Sequence, residues 1–300
     1  MATAAVAEES EKTPAERLYE AARDSDVAAL DALLPDVTPE QLHEEHEFDF
    51  DGSPSVAGAT PLLVAAWRGN DAVVRRLIAA GADAALGSSE VTPLMAAVAK
   101  NQHGCAVALL AAGADVNDER GPDNLRYRAI HVVVGAACTA EIIRLLLING
   151  ADVDAVAFHG SGEATPLSLA FCDDHPPDMT DAGALKQYFL KKHAIAFVLL
   201  RAGADVSHMF EERHPPHPSQ DTQPLVSHLA TDRQRTYVAA VHAAGGFAAY
   251  ANNRQCQLLT IKLLARGHGR LNLPEALIPT VVSFWDKPWV LSFDHNGLPV

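Results

Sequence analysis

Residues 60–83 read TPLLVAAWRGNDAVVRRLIAAGAD, and residues 92–115 repeat the same grammar as TPLMAAVAKNQHGCAVALLAAGAD. Thr60 suits a helix N-cap, because its hydroxyl can accept an orphan backbone N–H. Pro61 follows at the first helical position, where its missing N–H removes nothing. Leu62, Ala65 and Ala66 form an apolar stripe of mostly small residues, which lets a neighbouring helix approach closely. Gly69-Asn70 interrupts the chain. Val73, Val74, Leu77 and Ile78 then mark the buried face of a second helix. Gly81 supplies the left-handed residue that ends it.

The opening motif recurs along the chain. Thr60-Pro61-Leu62 returns as Thr92-Pro93-Leu94 and Thr165-Pro166-Leu167, with weaker copies at Arg128-Ala129-Ile130 and Gln223-Pro224-Leu225. The closing motif returns with it, as Gly81-Ala82-Asp83, Gly113-Ala114-Asp115, Gly150-Ala151-Asp152, Gly203-Ala204-Asp205 and a decayed Gly245-Gly246-Phe247. Thr60 to Gly81 and Thr92 to Gly113 are both 21 positions; Arg128 to Gly150 and Gln223 to Gly245 are both 22. Chance motifs would not hold so nearly fixed a distance four times. The same stripes run through Ala106, Leu109 and Leu110, and through Ile142, Ile143, Leu146 and Leu147.

This pattern resembles the ankyrin family, whose repeat of about 33 residues carries a T-P-L-H-x-A signature. The resemblance covers residues 15–247 and implies an all-α solenoid of helix pairs joined by β-turn fingers. An N-terminal cap (helices at Leu18–Ala22 and Val27–Leu34) precedes five units, the last degenerate. An atypical end is expected, because one side of a terminal repeat faces water. Residues 1–14 are expected to be disordered. The signature histidine stands only at His131. Leu63, Met95, Ser168 and Val226 replace it, so the hydrogen bond it makes in the family is not expected in those units.

Three segments are longer than the family pattern: 35–59, 173–183 and 207–222. Residues 248–300 fall outside the repeat. Leu258–Leu264 and a run from Leu273 read as helices, kinked at Pro279. They suggest a helical C-terminal cap over the last repeat. The alternative is an adaptor-binding end within 255–293, which would make the chain a substrate receptor of a cullin-type ubiquitin ligase.

Composition narrows the function. Apolar residues are 48% of the 300-residue chain and aromatics 6%, which suits close-packed helices. Acidic residues outnumber basic ones 38 to 23, a net charge of −15. That charge repels phosphate backbones and anionic membrane surfaces, and favours a basic or partly basic protein partner. The four cysteines, Cys105, Cys138, Cys172 and Cys256, form no CxxC pair; reduced thiols in the cytoplasm or nucleus are expected. MATAAVAEESEKTPAERL does not read as a signal peptide, and no run of about 18 apolar residues suggests a membrane span.

No Walker loop, dinucleotide loop or HExxH site occurs. Gly160-Ser161-Gly162 lacks the strand–turn–helix context of a hydrolase elbow and reads as a loop tip. His43 and His46, with Glu44 and Glu45, fall short of a four-ligand metal site, as does the proline-flanked group His208, His214 and His217. No catalytic residue, cofactor or metal is therefore expected. The expected function is non-catalytic binding of a partner protein.

What the resemblance implies for binding is a surface made of finger tips and the ends of first helices. Carried onto this chain, the helix positions are Trp67, Arg68, Ala99, Lys100, Phe171 and Cys172. The finger positions are Ser88, Ser89, Glu90, Asp123, Arg126, Tyr127, Phe158 and His159. Trp67 is the leading candidate, since tryptophan, tyrosine and arginine dominate binding hot spots. Asn117 closes a Leu109–Asp115–Val116–Asn117 pattern that in the family marks asparagines hydroxylated by an oxygenase. It is a candidate modification site as well as a turn-stabilising residue.

Overall fold

The structure is a computed structural model that describes residues 12–48, 56–121, 125–136, 138–159, 162–171, 182–207 and 239–246. It divides into two units, 1–169 and 170–300. The first unit contains α1 (Pro14–Arg23), α2 (Val27–Leu33), a 3₁₀ turn (Leu34–Asp36), α3 (Pro39–Leu42) and the pair β1 (His46–Phe48) and β2 (Val56–Ala59). Then come α4 (Pro61–Arg68), α5 (Asp71–Ala79), α6 (Pro93–Ala99), α7 (His103–Ala111), α8 (Ala129–Gly135), α9 (Ala140–Ile148), β3 (Ala157–His159) and β4 (Gly162–Ala164). Helix α10 (Pro166–Phe171) crosses the limit of the first unit, and α11 (Ala182–Ala202) lies in the second.

Two rows of helices build the first unit. First helices α1, α4, α6 and α8 touch one another in sequence order, and second helices α2, α5, α7 and α9 do the same. The core lies between the rows. Leu18, Leu62, Ala65, Ala66, Leu94, Ala96, Ala97 and Ile130 line it from the first row, and Leu30, Val73, Val74, Leu77, Leu109, Ile142, Ile143 and Leu146 from the second, all at most 1% exposed. Ile78, Leu110 and Leu147, expected on the same buried stripe, are only half-buried. Each stands three residues before the closing glycine, where the stripe turns toward the outer edge.

The closing motif has a full physical account. Gly81, Gly113, Gly150, Gly203 and Gly245 have φ of 100°, 91°, 86°, 98° and 79°, a region costly for any residue with a Cβ. Each donates its N–H to the carbonyl three residues back, at 2.9–3.1 Å. The residue after it reaches five back: Ala82 to Leu77, Ala114 to Leu109, Ala151 to Leu146, Ala204 to Leu199 and Gly246 to Val241, at 2.9–3.1 Å. This is a Schellman ending. The aspartate then starts a turn. Oδ1 of Asp83, Asp115, Asp152 and Asp205 accepts the N–H two residues on at 2.9, 2.8, 3.2 and 2.8 Å. Gly-Ala-Asp therefore encodes a helix stop, a small residue that is buried at Ala82, Ala151 and Ala204 and half-buried at Ala114, and the first bend of the finger.

First helices end in the same way, on Ser25, Gly69 and Asn101, all in the left-handed region. Asp26, Asn70 and Gln102 send their N–H five residues back, at 2.9, 3.3 and 2.8 Å. Asp26 and Asn70 at once cap the second helix with their side chains. Thr60 and Thr92 cap first helices as their sequence predicts, and Thr13 and Pro14, expected within a disordered end, open α1 in the same way, each helix having Pro at its first position.

The long segments differ from expectation. Residues 35–59 are not a plain loop: they hold the 3₁₀ turn, α3, and an antiparallel pairing of β1 with β2 (His46 opposite Ala59, Phe48 opposite Val56). Ala182 and Gly183, read as loop, begin α11. At 21 residues α11 is far longer than the other second helices, whose ending it shares at Gly203. Helix-favouring residues from Leu185 to Arg201 carry it through Gly183. The segment 207–222 beyond Ser207, residues 1–11, Gln223–Leu225 and the whole of 248–300 lie outside the described residues. So do Cys172 and Cys256.

Candidate functional site

Trp67 and Arg68 are the last two residues of α4. Trp67 is half-buried, and the Lys100 Nζ sits 4.3 Å above its ring centroid, a cation–π contact between successive first helices. Arg68 is exposed, its guanidinium 5.6 Å from the Phe48 ring, which β1 brings in from the 35–59 segment. The structure therefore joins Trp67 to Lys100 and seats Arg68 on an aromatic that the sequence did not single out. At the positions equivalent to Trp67, two before each turn residue, stand Ala99 and Gly135. The fold does not require a large ring there.

Tyr127 stands elsewhere, at the foot of the second finger. It pairs with Arg120 through reciprocal backbone bonds of 2.8 Å, and its ring meets His131 edge-on at 6.0 Å. Tyr127 precedes α8 whereas Trp67 ends α4, so along the helix axes alone they stand about the length of a first helix apart, roughly 12 Å for eight residues. Tyr127 thus lies at the opposite end of the face from Trp67.

The fingers are tied together by charge and backbone. Arg126, exposed and at φ 54°, makes two bonds to Glu119 of 2.8 and 3.1 Å. Arg128 bonds the same carboxylate at 2.6 Å and Asp152 of the next finger at 2.9 Å. Held first by Arg126 and then by Arg128, the Glu119 carboxyl is lowered to about 2. Phe158, 40% exposed on the β3–β4 hairpin, donates its N–H to the Leu125 carbonyl at 2.8 Å and so joins the third finger to the second. Glu90 is half-buried in the first finger, where its N–H donates to Ser88 Oγ at 3.3 Å. His159 ends β3, opposite Gly162, and Phe171 ends α10 in the second unit. Asp123 lies outside the described residues.

Asn117 bridges units. Its Nδ2 donates to the Gly150 carbonyl at 3.0 Å, and its Oδ1 accepts the Asp152 N–H at 2.9 Å. The side chain therefore satisfies both backbone groups that open the next finger.

His131 is 1% exposed, and both ring nitrogens are used. Nδ1 accepts the Arg128 N–H at 3.1 Å, so it carries no proton, and Nε2–H donates to the Ala155 carbonyl at 3.0 Å. Burial, with Arg128 adding to it against the Ala155 bond, lowers the ring to about 4. Where Leu63 replaces the histidine, the Thr60 hydroxyl donates instead, to the Leu86 carbonyl at 3.1 Å. Leu86 and Ala155 each stand five residues after a closing glycine, so two different side chains satisfy the same backbone group. At Ser168 the hydroxyl bonds back to Thr165, accepting its N–H at 2.9 Å and donating to its carbonyl at 2.9 Å.

The His131 shift sets a pH dependence. The unfolded ring titrates near 6.5 and the folded ring near 4, so the unfolded chain binds the proton first. Stability is complete above pH 6.5 and falls as pH drops toward 4, by about 2 kcal/mol at pH 5 and about 3 kcal/mol in full. Urea unfolding of the protein and of His131→Leu at pH 7.5 and pH 5 checks this. The variant is expected to lose less stability than the native chain between the two.

The histidines weighed as metal ligands point to different partners. His43 Nε2 accepts the Asp83 N–H at 3.0 Å, while the His46 ring packs on Tyr19 with centroids 4.3 Å apart. They do not share a helix: His43 follows α3 and His46 begins β1. Among the described residues no group of three or more His, Cys, Asp or Glu is placed to hold a metal ion. His208, His214 and His217 lie outside them. The Cys105 and Cys138 thiols are buried, and Cys138 Sγ donates to the Val98 carbonyl at 3.0 Å. Burial and the neighbouring Asp71 carboxylate raise Cys105 to about 12. Among the described residues no helix is long and apolar enough to cross a membrane.

Rows of short helix pairs, Schellman endings in register and paired β-fingers define a helical repeat solenoid in the first unit. Residues 18–120 match the family model of ankyrin repeats, in three copies, and that span is built of ankyrin repeats. No curated protein matches the chain. The pair α8–α9 lies beyond the matched span and keeps the same helix packing and the same closing bonds.

The sequence missed Phe48, Glu119 and Arg128. Phe48 and Glu119 sit outside the repeat motifs. Arg128 occupies the place of a capping threonine, and that departure was the signal available.

Proposed function

We propose that the first unit holds a partner protein against its first-helix ends and fingers, by surface complementarity and without turnover. Ankyrin repeats as a class are protein–protein interaction modules. The observation that carries the reading for this chain is Trp67, a large half-buried ring where the equivalent positions hold Ala99 and Gly135, with Lys100 set over its face. Tryptophan is among the residues that most often carry the binding energy of an interface. Arg68, set against the buried Phe48 ring, extends this centre; Arg126, Tyr127, Glu90 and Phe158 supply contacts on the finger side.

The test is an alanine series at Trp67, Lys100 and Tyr127 in pulldowns from source lysate, with circular dichroism to check the fold. Trp67→Ala is expected to weaken capture of a specific partner about 30-fold, as a hot spot of about 2 kcal/mol would. Undiminished capture by well-folded Trp67→Ala and Tyr127→Ala would place the binding surface elsewhere.

A further inference from the structure

We propose that His43 is a pH-sensitive latch, which ties the first finger to the segment 35–59 while its ring is neutral and lets that finger loosen in acid. The first and third fingers open on equivalent aspartates, Asp83 and Asp152, each two residues after a closing glycine. In the third finger the Asp152 N–H is taken at 2.9 Å by Asn117 Oδ1, from the preceding unit. In the first finger the Asp83 N–H is taken at 3.0 Å by His43 Nε2, from the segment 35–59. An imidazole therefore does at the first finger what an amide does at the third. The two acceptors differ in one respect. The amide oxygen accepts at every pH, whereas Nε2 accepts only while it carries no proton. Histidine is the side chain whose charge ordinarily changes between about pH 5 and 8. Proton and bond exclude one another at Nε2, so acid favours the unlatched form.

The segment itself fixes where His43 stands. The ring follows α3, which Thr38 caps and whose Leu42 is buried, so a packed turn carries the latch. Its charged neighbours on the segment are Glu40, Glu44 and Glu45. They travel with His43 and favour its protonated form whether the latch is closed or open, which leaves the coupling unchanged. Across the seam stands the Asp83 carboxylate, turned to its own finger by the Ala85 N–H at 2.9 Å. It attracts the protonated ring and limits the loosening. His46 has a different setting. Its ring lies on Tyr19 with centroids 4.3 Å apart, among Lys12, Glu16, Glu20, Arg23 and Glu47. The β1 end of the segment is held by other means: the Tyr19 hydroxyl donates to the Glu47 carbonyl at 3.0 Å, and Phe48 is buried. Acid therefore frees the seam between His43 and the first finger rather than the whole segment.

The test is amide exchange of the full chain at pH 7.5 and pH 5.5, read at residues 83–91 and corrected for the intrinsic pH dependence of exchange. His131, whose folded ring titrates near 4, stays neutral across this range, and exchange in α5 reports any change in the stack as a whole. Circular dichroism confirms that the variants fold. In the native chain, exchange at 83–91 is expected to quicken about fivefold relative to α5 at pH 5.5, as the loss of one hydrogen bond would give. His43→Gln, which offers an oxygen in place of Nε2, is expected to match the native chain at pH 7.5 and to show no rise at pH 5.5. His43→Ala is expected to be fast at both, and His46→Phe, which keeps a ring on Tyr19, to retain the native response. Exchange at 83–91 that ignores pH in the native chain, or that follows it equally in His43→Gln, would overturn the latch. A response lost in His46→Phe would assign it to the other histidine and overturn the proposal as well.

Discussion

Replacing His131 with leucine is expected to lower stability by about 2–3 kcal/mol at pH 7.5, and adding Arg128→Thr to recover roughly half of it. The leucine strips partners from two backbone groups, the Arg128 N–H and the Ala155 carbonyl, both bonded to the ring at 3.1 and 3.0 Å. A buried polar group left without a partner costs about 1–3 kcal/mol. The rescue follows from the first repeat. There leucine is the native residue at position 63, and the Thr60 hydroxyl reaches the Leu86 carbonyl, the counterpart of Ala155. Threonine at 128 recreates that pair. It also removes the Arg128 bonds to Glu119 and Asp152, but partly exposed ion pairs of this kind contribute at most about 1 kcal/mol. Urea midpoints of the native chain, the two single variants and the double variant measure the coupling. If the double variant is no more stable than His131→Leu, the two devices are not interchangeable.

Truncating Leu109 to alanine is expected to cost about 3 kcal/mol, with effects beyond its own helix. Leu109 is fully buried in α7, and its carbonyl takes the Ala114 N–H that closes the repeat. Helix α7 leans on α5 on one side and α9 on the other. In a repeat array stability is close to a sum of unit and neighbour-interface contributions. Amide exchange should therefore quicken in α5 and α9 as well as in α7. Leu30→Ala, in the terminal helix α2, has a neighbour only in α5 along its row and should leave α9 unchanged. Exchange confined to α7 in the Leu109 variant would show that the pairs stand independently.

Much of this fold was legible in the sequence because its information is local. Thr-Pro-Leu encodes a cap and a helix start, and Gly-Ala-Asp encodes a stop and a turn; neither needs a distant residue. The parts that were not legible depend on a second segment. Thr60 and His131 do the same work only because each meets a carbonyl of the following finger. Arg68 gained Phe48 because residues 35–59, expected as a loop, fold into β1 and β2 and bring the ring to α4. The binding candidates divided for the same reason. Trp67 and Lys100 meet because both end first helices in adjacent repeats, whereas Tyr127, a finger residue, belongs to the other end of the face.

The central claim is that second helices stand side by side in chain order at a constant step. Spin labels on bio-orthogonal side chains at 79, 111 and 148, each two residues before a closing glycine and exposed, measure that step directly. Packed helices lie about 10 Å apart, so the backbone separations should be about 10 Å for 79–111 and for 111–148, and about 20 Å for 79–148. A 79–148 separation no longer than the two neighbour distances, or a broad spread in any of the three, would contradict the stack.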